Sequence, residues 1–281
     1  MLLLLLVSLV WAFSFGLIKG RLSGLDPNAV AVVRIAMSAL IFLPFLRLGK
    51  VPRKTIFRLV CIGAVQFGVM YVLYLHAYDY LQAHEVALFT IATPLYLALL
   101  ETVAQRRWNT RLALAALLAV AGAAVVAWQT ISSTKLATGF LLMQSSNFCF
   151  ALGQFFYRRV RAEVHDVSDL NLFGLLYLGA LVVTLAATLS AGSWQTFAPT
   201  SQQWLVLTYL GVIASGLCFF WWNLGATRVN AATLAAFNDA KIPLGVACSL
   251  VFFGESSDLK RLLIGGGLLI GAITLAQTKK A

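Results

Sequence analysis

The sequence predicts an all-α polytopic membrane protein, with ten transmembrane helices arranged as two inverted five-helix repeats. Three observations lead to this fold class: the composition, the length of the apolar segments and the distribution of basic residues. The chain of 281 residues is 60% hydrophobic and only 11% charged, with a mean hydropathy of +0.87. Strands of a membrane β-barrel would be short and would alternate in polarity, so the long apolar segments favour helices.

The apolar segments have the length that a membrane helix requires. A bilayer core about 30 Å thick is crossed by roughly 20 apolar residues in a helix. Ten segments approach this length, and we take each as one predicted span, numbered in chain order: 2–18, 28–48, 56–78, 86–104, 112–128, 136–157, 170–189, 204–224, 231–253 and 259–277.

Basic residues predict the orientation of these spans, because short cytoplasmic loops retain Lys and Arg. Fourteen basic residues fall in one set of alternate loops and tails, and five fall in the opposite set, namely Lys19, Arg21, Lys135, Lys260 and Arg261. The imbalance places both termini in the cytoplasm. We expect an integral membrane protein of a bacterial inner (plasma) membrane. A missed or false span would disrupt this alternation, so the charge pattern also supports the number ten.

The net charge of +11 does not indicate a nucleic-acid partner, because the basic residues are spread over short loops beside the membrane. Anionic membrane lipid is the expected partner of these loops. The four cysteines lie within predicted helices and lack metal-ligand spacing, so we predict no disulfide, metal site or cofactor. No long polar segment or extra domain indicates an obligate protein partner.

An internal repeat divides the chain. An offset of 149 residues aligns Pro94 with Pro243, and an offset of 139 aligns Lys19 with Arg158. Because each repeat holds five helices, the second must enter the membrane from the opposite side. Inverted repeats are a recurrent architecture of secondary transporters, whose substrate site lies where the halves meet. We expect one membrane domain with repeats at 1–132 and 133–281.

A set of residues spread over nearly the whole chain forms a pattern: Trp11, Ala12, Lys19, Pro27, Arg34, Tyr74, Ala77, Ala83, Ala87, Pro94, Leu224, Ala226, Ala232, Pro243, Gly254, Glu255 and the glycines from Gly265 to Gly271. This pattern resembles that of the EamA-type members of the drug/metabolite transporter superfamily. The first repeat departs from the family pattern, with Gln105-Arg106 where Gly-Glu is expected. The resemblance implies a ten-helix exporter of small metabolites, often amino acids or amines.

The ninth predicted span carries polar residues that a membrane tolerates poorly. Asn238, Asp239 and Lys241 lie near the midplane, and the two charges cost about 5 to 7 kcal/mol on insertion scales. Helical geometry places Asn238 and Lys241 on one face and Asp239 on another. We expect the three residues to bind substrate, or else to pair structurally with neighbouring helices. Pro243 lacks an N–H and is expected to leave the carbonyl of Asp239 free, and Pro94 is likewise expected to leave the carbonyl of Thr90 free.

Further candidate substrate-binding residues come from other helices. Tyr71 and Tyr74 belong to an aromatic stripe on one face of the third span, although such stripes are commonly packing surfaces. Resemblance to the family adds weight to these two and to Trp11 and Asn147, because their helices line its central cavity. The full predicted substrate-binding set is Trp11, Tyr71, Tyr74, Thr90, Asn147, Gln154, Trp222, Asn238, Asp239 and Lys241.

Two carboxyl groups are candidates for proton coupling. Asp239 is the first, and Glu85, near the outer mouth of the fourth span, is the second, since partial burial raises the pKa of a carboxyl. A solvated loop carboxylate is the alternative for Glu85. Arg34 in the second span could hold a substrate carboxylate, or could form an ion pair or extend toward the interface.

These features predict a secondary transporter, not an enzyme, that exports a small metabolite by alternating access. An amino acid or amine is the expected substrate. No catalytic residues are predicted, because the three histidines, His76, His84 and His165, are dispersed over both sides of the membrane. Two alternatives stay open: an efflux pump for lipophilic cations or other xenobiotics, and a membrane sensor or scaffold without transport.

Overall fold

The computed structural model describes residues 2–49, 51–106, 133–229, 231–255 and 258–277, together with the single positions 110, 114, 117, 118, 121, 122 and 125. Within this part of the chain every regular element is a helix, which confirms the all-α class. Apart from those single positions, the fifth predicted span, 112–128, lies outside the described residues.

Four helices form the described part of the first half: α1 (Leu2–Arg21), α2 (Pro27–Phe45), α3 (Arg53–Ala77) and α4 (Ala83–Ala104). The carboxylate of Asp26 caps α2 by accepting hydrogen bonds from the backbone N–H groups of Asn28 and Ala29, at 2.8 and 3.0 Å. A capping box formed by Gln82 and Glu85 starts α4 at Ala83, earlier than the apolar pattern alone indicates.

Five helices follow in the second half: α5 (Ser133–Glu163), α6 (Leu170–Ser190), α7 (Ser201–Arg228), α8 (Ala231–Phe252) and α9 (Leu259–Gln277). α5 extends beyond the predicted segment 136–157 at both ends, because polar terminal turns continue the helix without adding to the apolar pattern. Thr200 and Gln203 form a capping box that likewise starts α7 before residue 204.

Four helices change winding along their length, and α2 does so at its end, in the 3₁₀ turn Leu43–Phe45. A π-helical segment occupies Ala64–Val69 in α3, and another occupies Tyr209–Leu217 in α7. In α4 a 3₁₀ turn, Thr90–Ala92, precedes Pro94. Such segments are frequent at functional sites and hinges, because they redirect backbone and side chains within an otherwise regular helix.

Helix packing brings the two halves of the chain together. α1 packs against α7 and α8, and α4 packs against α5 and α8; α2 contacts α6 and α7, while α3 contacts α5 and α6. Polar side chains such as Gln66 and Asn223 are fully buried, whereas large apolar side chains such as Leu40, Phe57 and Val182 are exposed. This outward apolar surface suits a hydrocarbon environment.

Six of the described helices are long and apolar enough to cross a membrane, namely α1, α2, α3, α4, α6 and α7. The protein is therefore an integral membrane protein with an all-helical transmembrane fold.

Candidate functional site

A central cavity lies where seven helices meet, and α1, α2, α3, α4, α5, α7 and α8 each contribute side chains to it. The cavity has a volume of about 80 Å³, which leaves room for several water molecules. Aromatic groups form much of its wall, namely Trp11, Phe15, Tyr71, Tyr74, Phe150 and Phe219. Such a mixture of aromatic surface and a few polar groups is typical of small-molecule sites.

Ring contacts and one hydrogen bond hold the aromatic wall together. The ring centroids of Trp11 and Phe219 are 5.2 Å apart, and those of Phe219 and Tyr71 are 5.7 Å apart. The indole Nε1 of Trp11 donates to the carbonyl oxygen of Ala214, 2.9 Å away in the π-helical segment of α7. This bond satisfies the buried polar group of Trp11 and sets the orientation of its ring toward the cavity.

Arg34 of α2 lines the cavity and is buried, with only 2% of its surface exposed. Its Nε donates to Ser215 Oγ at 3.2 Å, and its Nη2 donates to the Tyr71 hydroxyl at 2.8 Å. The Tyr71 hydroxyl lies 2.6 Å from Ser215 Oγ, which itself donates to the carbonyl oxygen of Leu210 at 2.6 Å. The guanidinium is thus held by neutral oxygen atoms of two helices.

Lys241 of α8 is the second cationic residue on the cavity wall. Its Nζ donates to Asn238 Oδ1 at 2.9 Å and lies 5.1 Å from the centroid of the Trp11 ring. The i, i+3 contact agrees with the predicted common face of these two residues. The side chain of Asp239 lies outside the described residues. None of the described side chains that line the cavity is acidic.

Asn147 and Thr90 supply neutral polar groups to the cavity, where the amide Nδ2 of Asn147 donates to the Phe89 carbonyl oxygen at 2.8 Å. The prediction that the carbonyl of Thr90 is free was wrong, because the N–H of Thr93 donates to that oxygen within the 3₁₀ turn. Pro94 removes one donor, but the tighter turn that precedes it supplies another. The hydroxyl of Thr90 donates to the Ala87 carbonyl oxygen at 2.7 Å.

Six residues of the predicted substrate-binding set line the cavity: Trp11, Tyr71, Tyr74, Thr90, Asn147 and Lys241. Gln154 and Trp222 are buried but do not line it; the Trp222 ring lies behind the wall, 5.1 Å from the Trp11 ring. Asn238 is not among the cavity-lining residues, and its Oδ1 accepts a hydrogen bond from the lining residue Lys241. Glu85 is fully buried, and its Oε2 accepts a hydrogen bond from the backbone N–H of Gln82 at 2.8 Å in the capping box of α4.

A second polar cluster joins the start of α4 to the segment after α8. The carboxylate of Glu255 accepts hydrogen bonds from the backbone N–H groups of Ala83 and His84, at 2.7 and 3.0 Å, and from His84 Nδ1 at 2.7 Å. Burial alone would raise the pKa of Glu255, but the hydrogen bonds from His84 and the two backbone groups outweigh it and lower that pKa. Neither this cluster nor any other group of described His, Cys, Asp or Glu side chains could hold a metal ion.

Seven cavity-lining residues escaped prediction from the sequence, namely Ser14, Phe15, Met70, Thr93, Ser146, Phe150 and Phe219. Ser14 and Thr93 follow Trp11 and Thr90 by three residues, so helical periodicity could have found them. Phe219 lies in the apolar sequence Cys218-Phe219-Phe220, where no local signal distinguishes the ring that faces the cavity.

Similarity to known proteins extends over nearly the full chain. The model of the EamA-like transporter family matches residues 1–128 and 137–277. A Pseudomonas aeruginosa protein named "Probable biotin transporter" is 38% identical over 272 residues, covering 96% of this chain and 95% of that one. A Salmonella typhimurium protein named "Biotin transporter" is 38% identical over 275 residues, covering 97% and 91%. One crystal structure resembles the fold with a TM-score of 0.69 at 16% identity, covering 98% and 96% of the two chains.

Proposed function

The chain belongs to the EamA-like transporter family, and we propose that it is a secondary transporter of biotin. The observation that carries this proposal is the full-length similarity to bacterial proteins named biotin transporters, at 38% identity over more than 90% of each chain. Similarity over the whole length includes every helix that lines the central cavity.

The chemistry of the cavity supports biotin over an amine. Biotin combines an apolar chain, a ring with hydrogen-bonding groups and a carboxylate. The aromatic wall suits the apolar parts, and Asn147 and Thr90 are polar groups near that wall. Both described charged residues of the wall, Arg34 and Lys241, are cationic, which supports a substrate with an anionic group. An ammonium group would require an acidic partner, and none of the described lining side chains is acidic.

We propose that the fold comprises ten spans in two inverted repeats, 1–132 and 133–281. Corresponding helices make corresponding contacts, since α1 packs on α8 as α5 packs on α4, and α2 packs on α7 as α6 packs on α3. The two π-helical segments also occur in corresponding helices, α3 and α7. This pseudo-symmetry supports alternating access, in which the halves rock about a central site.

We propose a bacterial inner-membrane location with both termini in the cytoplasm, supported by the distribution of basic residues. A cysteine introduced at Asp166, after α5, should then react with a membrane-impermeant maleimide only from the cytoplasmic side. A cysteine at Gln195, after α6, should react only from the outside. Identical labelling of both from one side would contradict the topology.

Proton coupling through Asp239 or Glu85 remains part of the proposal. The direction of a reversible secondary transporter is set by the gradients of its solutes and coupling ions. The export expected from the sequence and the uptake of biotin are therefore two directions of one transport cycle. Replacement of Asp239 by Asn should abolish any pH dependence of transport if this carboxyl carries the proton. An unchanged pH profile would remove Asp239 from the coupling mechanism.

Counterflow in proteoliposomes tests the substrate. Vesicles loaded with unlabelled biotin should accumulate labelled external biotin transiently, whereas vesicles without protein should not. Amino acids, amines, nucleobases and lipophilic cations serve as competing solutes. Exchange of amino acids or amines without biotin would contradict the biotin proposal and support the export of those metabolites; exchange of lipophilic cations would support efflux.

A further inference from the structure

Arg34 is a buried cation without an acidic partner among the described residues. It lies within the membrane-spanning helix α2 at 2% exposure, and the described ion pairs do not include it. A charge within a membrane helix is costly, and such residues are typically paired or placed on a substrate pathway. The position of Arg34 on the central cavity agrees with the second case.

The guanidinium is rigidly held and yet incompletely bonded. Two of its five N–H groups donate to protein oxygens, one from Nε to Ser215 and one from Nη2 to Tyr71. Nη1 is buried and has no hydrogen-bond partner among the described residues. A buried donor that lacks a partner is destabilising, and more so when it is charged. The fold retains this unfavourable arrangement at the wall of a cavity, where a ligand can supply the acceptor.

The chemistry of guanidinium identifies the ligand group. Its planar fork matches the two oxygens of a carboxylate, and such charge-assisted hydrogen bonds are about twice as strong as neutral ones. Ser215 and Tyr71 contribute neutral oxygens, so they orient the fork without neutralising its charge. A carboxylate would satisfy both the orphan Nη1 and the net charge.

The aromatic wall determines where the rest of the ligand lies. The Cζ atom of Arg34 is 4.8 Å from the centroid of the Tyr71 ring, from which the wall continues through Phe219 to Trp11. Lys241 lies at the opposite end, 5.1 Å from the Trp11 ring. A molecule with one carboxylate and an apolar body can therefore contact Arg34 and lie along these rings.

The geometry points to Arg34 as the residue that binds the carboxylate of the transported molecule, with its apolar body along Tyr71, Phe219 and Trp11. This inference rests on the proposed transport function and specifies the substrate class as an apolar monocarboxylate. Ser215 and Tyr71 act as positioning residues, because they hold the guanidinium and do not supply charge.

Competition by acid and amide forms of one ligand tests the inference. Labelled biotin uptake into proteoliposomes is inhibited with unlabelled biotin or with biotinamide, which differs by a neutral carboxamide. In the wild type the acid should inhibit at least about tenfold more strongly, since a hydrogen bond to a charged group contributes about 1.5–3 kcal/mol. In Arg34→Gln this ratio should fall to about one.

Three variants separate binding from folding. Arg58→Gln removes a cation that pairs with Glu163 and does not line the cavity, so it should keep the wild-type ratio. Arg34→Lys keeps a charge but loses the fork, and should lower the ratio partly. Tyr71→Phe removes the acceptor of Nη2 and should lower it about threefold to tenfold. Thermal unfolding and size exclusion in detergent report whether each variant is folded.

The outcomes distinguish this inference from the transport proposal. If the wild type carries biotin and folded Arg34→Gln keeps the preference for the acid, the role of Arg34 is refuted and biotin transport stands. If Arg34→Gln does not fold, an unchanged ratio in Arg34→Lys refutes it equally. If biotin is not carried at all, thermal stabilisation by acid and amide pairs of desthiobiotin and lipoate replaces uptake. Absence of any acid preference in that set overturns the inference.

Discussion

Alanine at Gly63 should weaken the contact between α3 and α6, where the two backbones approach closely. A Cβ atom added to Gly63 would lie 1.9 Å from the carbonyl oxygen of Leu176 and 2.3 Å from its Cα. The contact is reciprocal, because a Cβ atom at Gly179 would lie 1.9 Å from the carbonyl oxygen of Val60. Close approach of helices through small residues is a main source of packing in membranes.

The size of the effect follows from the atoms involved. Cβ contacts below 3.0 Å are essentially never observed, so the two helices must separate by about 1 Å. The obstruction is backbone, which cannot rotate away as a flexible side chain can. Overpacking typically costs about 1–3 kcal/mol, and we expect the upper end for Gly63→Ala. A loss of about 3 kcal/mol corresponds to a decrease in Tm of roughly 6–12 °C.

Gly267→Ala provides the matched control. Gly267 also lies in a helix, α9, but a Cβ atom there would meet nothing within 4 Å. Since Ala favours the helix over Gly by about 1 kcal/mol, this variant should be unchanged or slightly more stable. Thermal unfolding of both proteins in the same detergent, followed by tryptophan fluorescence, measures the difference. Equal Tm values for the two variants would refute the close approach of α3 and α6.

Three further predictions follow from other buried contacts. Because hydrogen bonds from His84 and the backbone lower the pKa of Glu255, its stabilisation is present above the ordinary carboxyl pKa and is lost as pH falls through the lowered value. The Tm difference between wild type and Glu255→Gln should therefore be largest near neutral pH and disappear in acid; a constant difference would contradict the ionised contact. Trp11→Phe removes the indole hydrogen bond and should lower the free energy of unfolding by about 1 kcal/mol, and unchanged denaturant unfolding would argue against that bond. Gln66→Leu leaves the buried amide of Asn223 without its 3.0 Å partner and should cost about 1–3 kcal/mol, whereas Leu at both positions should recover part of the loss; equal losses in the single and double variants would contradict the pairing.

The apolar segments and the helical spacing of side chains were readable from sequence because both depend on residues that are close in the chain. The length of α6, Leu170–Ser190, matches the predicted segment 170–189 within one residue. Asn238 and Lys241 share a face, as a separation of three residues predicts. Helix ends were less predictable, since Glu85 and Thr200 extend helices through polar caps.

The choice of cavity residues depended on tertiary structure. Asn147 and Gln154 share a helical face at a separation of seven residues, yet only Asn147 lines the cavity. Periodicity defines a face, but the neighbouring helices decide at which height along that face a cavity opens. Trp222 illustrates the same limit, because its ring packs behind Trp11.

The sequence by itself determined that this protein is a helical membrane transporter, because hydrophobic length, charge distribution and family pattern are all properties of the linear chain. Only the tertiary structure decided which polar groups act together. Arg34 and Ser215 are 181 residues apart, and Glu255 meets His84 across 171 residues. Apolar helices can pack in many registers, so such partners are selected by shape complementarity between helices that local sequence does not encode.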